Sequence, residues 1–526
     1  MRNEKFVSAE KAASAIEDDS IMGIGGFLGI GSAEEIFLAI EKRFLDEGHP
    51  RNITMVHTGG VGDGKSAGAN VLAHQGLIKR MIGGHFARMP MLGSMIEQEI
   101  IEGYNIPQGI LAHLYRESAA GRPRLITKVG LKTFIDPDLG GAKLNSIAKD
   151  DIVEKLCIDG EDYLSYKVPK VNLAVIRGTT ADEQGNISFE NEPLTLEGIS
   201  IASAAKNNGG TVIVQVEKVV RKGSILPQNV KIPHIMVDYI VVAEDPEKNH
   251  RQNYGTYFDP RFTRNDIVIE GTSVKEPMNC RKIIARRAAM CLTADMKVVN
   301  FGIGIPEVVA SVLNEEGQDS RITTIIESGI VGGVALGNMN FGASLCPDAI
   351  IDQTYMFDYI DGGGLDISFL GLAQCDPCGN INVSRFGKKV TGCGGFIDIS
   401  QNVKNIVFCG TFTAGGLKVD IKDRKLVIAE EGSTRKFINN LQQITFSGDV
   451  AVKNNKSVQF VTERAVFRLT KDGLLLTEIA PGIDIEKDIL GQMEFRPIIS
   501  ENLKYMDEKI FIDEPMNFTI EGGAYK

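Results

Sequence analysis

The chain has 526 residues, 43% of them hydrophobic and 24% charged, with a formal net charge of −11. That length exceeds one ordinary core, so two or more domains are expected, of soluble globular composition. The acidic balance argues against a nucleic-acid partner, and no apolar run approaches the length of a membrane span.

In chain order, the opening MRNEKFVSAEKAASAIEDDS has no apolar signal core and carries acids early, which predicts a cytoplasmic protein. GIGGF (23–27) then places paired glycines where a backbone can approach a ligand without a Cβ in the way. FLGIGSAEEIFLAI (27–40) runs from Gly-x-Gly through a glutamate into a helical apolar pattern, and NITMVHTGG (52–60) reads as a strand ending in glycines. EGYNIPQGILAHLYRESAAGRP (102–123) is too long for a plain turn. In VIRGTTADEQGNISFE (175–190), Asp182 and Gly185-Asn186 mark a tight turn, and GGTVIVQVE (209–217) is another strand. The polar, turn-rich stretch 243–266 reads as a linker or wrapping arm. The boundaries expected are an N-terminal domain at 1–245, a linker at 246–278 and a C-terminal domain at 279–526.

The second half repeats the first. NFGIGIPEVVASVL (300–313) matches 27–40 with Gly29 opposite Gly302 and Gly31 opposite Gly304. ITTIIESGI (322–330) matches 52–60 with Gly59 opposite Gly329, and FLGLAQCDPCGNINVS (369–384) matches 175–190 with Asp182 opposite Asp376. VKNIVFCGT (403–411) answers 209–217. The order is preserved, so one α/β unit has been duplicated, each copy a mainly parallel open sheet covered by helices. The first copy carries an insertion around 100–175. A cleft between two such domains is the expected ligand site.

Within TTIIESGIVGG (323–333), Glu327 ends the apolar run and opens the glycines, the corner where open α/β sheets place their ligands. Its small neighbours Ser328 and Gly329 would let a substrate approach a nucleophilic carboxylate. The matching position of the first half is read as His57, so one copy has specialised.

Other motifs compete. GGVGDGKS (59–66) satisfies the phosphate-loop pattern, follows a predicted strand, and would use Lys65 on phosphates and Ser66 on magnesium in an NTPase. The matching stretch of the second half lacks the Lys-Ser. Neither Gly23-x-Gly25 nor Gly302-x-Gly304 has the third glycine of a dinucleotide site. No Gly-x-Ser-x-Gly elbow occurs, and all seven histidines lie at or before His250. Cys375 and Cys378 form a CxxC pair without a second pair nearby, so no metal site is expected, and the eight cysteines show no disulfide framework. The Gly392–Phe396 cluster offers backbone amides for an oxyanion.

These stretches together resemble the family I coenzyme A transferases of the propionate/acetate type, with both subunit types fused in one chain. The resemblance rests on GIGGF (23–27), EGYNIPQG (102–109), ADEQGN (181–186), FGIGIPE (301–307), ESGIVGG (327–333), GGGLDISFLGLAQCDPCGN (362–380) and GCGGFIDIS (392–400). It implies that Glu327 attacks an acyl-CoA thioester and carries CoA as a glutamyl thioester. It also implies that Gln108 polarises the reacting carbonyl and that the Gly395 N–H stabilises the oxyanion. Gly302, Ile303, Gly304, Ile305, Pro306 and Gly394 would line the CoA arm. Acyl-CoA and a short carboxylic acid would be the partners, with CoA a co-substrate, no permanently bound cofactor, and a homodimer or homotetramer as the assembly. Ile326-Glu327-Ser328-Gly329 stands where the ketoacid enzymes have Ser-Glu-Asn-Gly, and Ala33 stands where a proline is expected. An acyl-CoA hydrolase, in which water intercepts the glutamyl intermediate, is the related alternative.

Overall fold

The computed structural model describes residues 4–267 and 276–520. Two compact units form, and they do not follow chain order. One holds Ile326–Asp358 and Arg385–Asp398 with the described part of Met1–Ile267, and the other holds Tyr359–Ser384 with the described parts of Val268–Ile325 and Ile399–Lys526. Residues 268–275 of the expected linker lie outside the described residues.

In the first unit, β1 (Phe6–Val7), β2 (Ile21–Ile24), β3 (Ile53–His57), β4 (Ile78–Gly83), β5 (Glu102–Asn105), β6 (Leu173–Arg177), β7 (Thr211–Val216) and β8 (Tyr239–Val242) make one parallel sheet. Its order is β1-β8-β7-β6-β2-β3-β4-β5. The central strands LAVIR and TVIVQV are buried on both faces, which explains their continuous apolar reading. Helices α1 (Glu34–Glu47), α2 (Gln108–Ala119) and α3 (Gly198–Asn207) belong to this unit, and α1 ends on Gly48 in the left-handed region at φ +75°. The insertion supplies β5, α2 and a separate antiparallel sheet of Arg124–Thr127, Glu161–Lys167 and Val153–Ile158.

The polar stretch after β8 wraps the first unit instead of hanging free. Arg177 donates to Glu192 through Nε (3.0 Å) and Nη2 (2.5 Å), and through Nη1 to Arg251 O (2.7 Å). His250 Nε2 lies 3.3 Å from the other Glu192 oxygen. Burial raises the Glu192 pKa, but Arg177 and His250 override it and draw the carboxyl down to about 2.

In the second unit, β9 (Val298–Phe301), β10 (Thr323–Ile326), β11 (Ile367–Gly371), β12 (Asn405–Cys409) and β13 (Ser457–Val461) are parallel. Strands β14 (Ala465–Thr470), β15 (Gly473–Ile479) and β16 (Ile498–Tyr505) extend them. The order β10-β9-β11-β12-β13 repeats β3-β2-β6-β7-β8 of the first unit. The two Asp-x-x-Gly-Asn turns are the same device: Asp182 Oδ1 accepts the amides of Gln184, Gly185 and Asn186, and Asp376 Oδ1 those of Cys378 and Asn380.

The ladders correct the repeat register in two places. Gly25 N–H donates to Val175 O (3.1 Å) as Gly302 N–H donates to Phe369 O (2.8 Å), so Gly25, not Gly29, is the strand-end counterpart of Gly302. The sequence alignment had matched the following helices instead. Residues 26–33 separate Gly25 from α1, whereas only 303–304 separate Gly302 from α4 (Ile305–Glu315). Likewise Met22 pairs with Met55 and Val299 with Thr324. Counting on from those partners sets Ile326 against His57 and Glu327 against Thr58, so the match of Glu327 to His57 was one residue off.

The phosphate-loop reading also fails. A helix should begin at the Lys-Ser, but residues 63–68 stay irregular and lead only into the short 3-10 turn Ala69–Leu72. The amides that would cradle phosphate are spent internally: Asp63 Oδ1 accepts Lys65 N–H (2.8 Å) and Ala67 N–H (3.0 Å), and Glu34 Oε1 accepts Gly68 N–H (2.9 Å).

Candidate active site

Glu327 follows directly on β10, in a turn with Ser328 and Gly329, and is 8% exposed. Gly329 N–H donates to Ile326 O (3.0 Å), and Ile351 N–H donates to Gly329 O (2.9 Å). Gly329 sits at φ +113°, and a Cβ there would run into Ile351 O, so glycine is required by both conformation and space. Ser328 Oγ donates to Gly342 O at 2.6 Å. Ile326 and Ile330, on either side of the turn, anchor it in an apolar cluster with Phe27, Leu194, Leu196 and Phe341.

Gln108 opens α2 after Pro107, and its backbone N–H donates to Gly394 O at 2.9 Å. Gly394 N–H donates to Gly84 O (2.8 Å). Asn105, fully buried, completes the join. Its Nδ2 donates to Gly83 O and Gly84 O, both at 2.7 Å, and its Oδ1 accepts Cys393 N–H (3.0 Å). The glycine loop 392–395 is thereby fixed against the end of β4. The Gln108 side chain is 2% exposed with Nε2 lacking any partner, and its Oε1 would lie 3.6 Å from a Cβ on Gly394. A buried donor without an acceptor costs roughly 1–3 kcal/mol, which makes Gln108 a candidate functional position. Gly395 is buried in the turn before the helix Phe396–Asn402, and its N–H donates to no backbone carbonyl among the described residues. Gly26 and Gly392 prove to be packing glycines: a Cβ on them would meet Val61 and Gly84 O.

Two histidines line the same region. His57 is 1% exposed with both ring nitrogens unpartnered, packed edge-on to Phe86 at 5.3 Å. Burial, with a smaller push from His85, lowers its pKa to about 3; burial and Arg88 lower that of His85 to about 4. Both rings are neutral at neutral pH, so neither adds charge to an anionic reaction. Thr58, Glu197 and Gln353 are also buried with side-chain polar atoms unpartnered.

Gly302, Ile303, Gly304, Ile305 and Pro306 stand in the second unit, between β9 and the first turn of α4, with Gly304 at φ +93° and Ile303 53% exposed. The other five sequence-derived positions divide differently: Glu327, Gln108, Gly394 and Gly395 belong to the first unit together with His57. Among the described residues, no group of three or more His, Cys, Asp or Glu could hold a metal ion, and no helix is long and apolar enough to cross a membrane. Sequence reasoning missed His85, Asn105, Thr58, Glu197 and Gln353. Asn105 and Thr58 lie within motif stretches but carry no signal of their own there, and burial without a partner, the property that singles out all but Asn105, is visible only in three dimensions.

A family model described as coenzyme A transferase matches residues 6–243. The chain is 44% identical over 515 residues to the caffeate CoA-transferase of Acetobacterium woodii, covering 97% of this chain and 98% of that protein. It is 41% identical over 523 residues to the acetate CoA-transferase YdiF of Escherichia coli (strain K12), covering 99% and 97%. The solved thioester complex with CoA of the acyl-CoA transferase YdiF from E. coli O157:H7 superposes with a TM-score of 0.92 at 40% identity, over 98% of this chain and 97% of that one.

Proposed function

The chain belongs to the coenzyme A transferase family, and from that premise we propose that it exchanges CoA between short-chain acyl-CoA esters and free carboxylates through a glutamyl-CoA thioester on Glu327. Acetate, propionate, butyrate and acetoacetate are the class of acids intended. The observation that carries this reading is the placement of Glu327: a buried carboxylate at the carboxyl end of a parallel strand, in a turn that only glycine at 329 allows. The structure of a 40% identical relative as a thioester complex with CoA supports it.

In the proposed sequence the Glu327 carboxylate attacks the thioester carbonyl and expels CoA thiolate, leaving an acyl-glutamyl anhydride. The thiolate attacks the glutamyl carbonyl, the first acid departs as its carboxylate, and glutamyl-CoA remains. A second carboxylate reverses both steps and leaves as its CoA ester. Every intermediate keeps an activated acyl bond, so no other energy source is needed, and the main requirement is to exclude water. Gln108 Nε2 and the Gly395 N–H are the proposed oxyanion donors, each an effect of about 3–4 kcal/mol. Gly302 to Pro306 and Gly394 are assigned to the CoA arm. A cytoplasmic location agrees with eight free thiols, and a homodimer or homotetramer is the assembly we propose.

Incubation with acetyl-CoA, followed by intact-mass measurement, tests the reading. The expected species is the chain plus CoA less one water, lost on Glu327→Gln and discharged by added propionate. Thioester loss without an acceptor acid at the transfer rate would favour the hydrolase instead. No adduct and no transfer with any short acyl-CoA would sink the proposal.

A further inference from the structure

A fully buried carboxyl group, unused by the mechanism above, lies behind the nucleophile's turn. Glu197 caps the start of α3, is 0% exposed, and neither of its oxygens has a hydrogen-bond partner. Gln353, also 0% exposed, opens α5 (Gln353–Asp361) with both amide atoms unpartnered, and the Thr58 hydroxyl at 1% exposure is unpartnered as well.

The backbone links this pocket to Glu327. Gln353 N–H donates to Leu196 O (3.1 Å), and two residues earlier Ile351 N–H donates to Gly329 O (2.9 Å). The segment 351–353 is thus stitched on one side to the turn carrying Glu327 and on the other to the residue before Glu197. Leu196 holds the left-handed conformation at φ +52°, rare for a branched side chain, and packs in the same apolar cluster as Ile326 and Ile330.

We propose that Glu197 is a positioning residue for the transfer reaction: as an uncharged carboxylic acid facing Thr58, it keeps the backbone join between Leu196 and segment 351–353, and through it the Glu327 turn, in place, and its ionisation releases that segment. The proposal rests on Glu327 being the nucleophile. A carboxylate buried with only the Thr58 hydroxyl facing it, and no formed hydrogen bond, would be poorly solvated, so the group takes a proton instead. Burial pushes Glu197 up to about 8; the Thr58 hydroxyl pulls against that, and Asp352 adds to it. Asp352 is the charged residue of the linking segment itself. From α2, Tyr115 faces Glu197 with its hydroxyl donated to Val56 O (2.6 Å), and burial and then Glu197 hold it well above its ordinary value. His57, beside Thr58 at the end of β3, is kept neutral by burial. Helix α3 brings no charged side chain before Lys206. Below about pH 8 the carboxyl is neutral; above it, two like charges oppose each other across the segment that steadies the nucleophile.

The test is the rate of glutamyl-CoA formation from acetyl-CoA as a function of pH. Wild type should lose about tenfold per pH unit above roughly pH 8, with KM for acetyl-CoA little changed. Glu197→Gln, an uncharged isostere, should keep the neutral-pH rate within about threefold and lose the alkaline fall, whereas Glu197→Ala should be slow at every pH. Asp352→Asn removes repulsion and should move the midpoint of the fall to lower pH, which keeps the test open if the Glu197 variants fold poorly. A protonated-carboxyl infrared band in the substrate-free enzyme, absent from Glu197→Gln, is expected independently of turnover. A flat wild-type profile, an unchanged alkaline fall in Glu197→Gln, or a Glu197→Gln rate as low as that of Glu197→Ala would overturn the proposal. Adduct formation with a flat profile sinks this inference alone; absence of adduct at every pH sinks it together with the nucleophile reading.

Discussion

Gln108 donates its backbone N–H to Gly394 O at 2.9 Å while its side-chain Nε2 has no partner. The main chain of one residue therefore fixes the glycine loop, and its side chain is left available for chemistry. The two roles separate experimentally, because a substitution at 108 keeps the backbone bond.

Gln108→Ala should lower the rate of adduct formation by roughly 10²-fold, the usual effect of deleting one oxyanion donor. Its melting temperature should stay near wild type, since the amide to Gly394 remains and an unsatisfied buried donor disappears. Single-turnover mass measurements with thermal unfolding check both halves. A normal rate would remove Gln108 from the reaction.

Gly329→Ala should damage stability and chemistry together. The φ of +113° and the closeness of Ile351 O leave no room for a Cβ, and strain of about 1–3 kcal/mol is expected. The turn would relieve it by moving Glu327, so kcat should fall much more than KM rises. Activity near wild type in Gly329→Ala would show that the turn tolerates displacement.

The Arg177–Glu192 pair gives the first unit an acid-sensitive anchor. The folded Glu192 pKa, about 2, lies below the ordinary value of 4.5, so its stabilisation is full above about pH 4.5 and is lost as pH falls towards 2. The shift corresponds to about 3 kcal/mol as an order of magnitude. Glu192→Gln should flatten that part of the stability–pH curve and, by leaving Arg177 buried and unpaired, cost about 3–5 kcal/mol at neutral pH. Denaturant titrations across the acid range measure both effects.

Lys65→Ala should leave transfer unchanged, and ATP with magnesium should not raise the melting temperature. The loop amides around Lys65 are already bonded to Asp63. An ATP-dependent shift lost in Lys65→Ala would revive the phosphate-loop reading.

The repeated architecture and the placement of Glu327 at a strand end were legible in the sequence because both rest on local signals. Buried parallel strands read as apolar runs, and the twin Asp-x-x-Gly-Asn turns keep their chemistry in both halves. The register was legible only to within a few residues. Residues 26–33 lengthen one βα connection, and aligning on glycines carried that length into the strand match, displacing Gly25 to Gly29. The join of Gln108 and Asn105 to the glycine loop was not legible at all. Both are far in the chain from residues 393–394, and only folding brings Gln108 N–H to Gly394 O and Cys393 N–H to Asn105 Oδ1. Glu197 was hidden for a similar reason, since an acid at the start of a helix ordinarily reads as a solvent-exposed cap.

The ladder register that sets Thr58 against Glu327 bears on the stoichiometry expected under the proposed mechanism. Two copies of the unit share one strand order, yet a hydroxyl stands at this corner in one and a carboxylate in the other. A threonine there cannot form the acyl anhydride of the proposed mechanism, so on that reading duplication has doubled the scaffold without doubling the number of loading sites. Each polypeptide should accept a single CoA, and saturation with acyl-CoA should plateau at one thioester per chain.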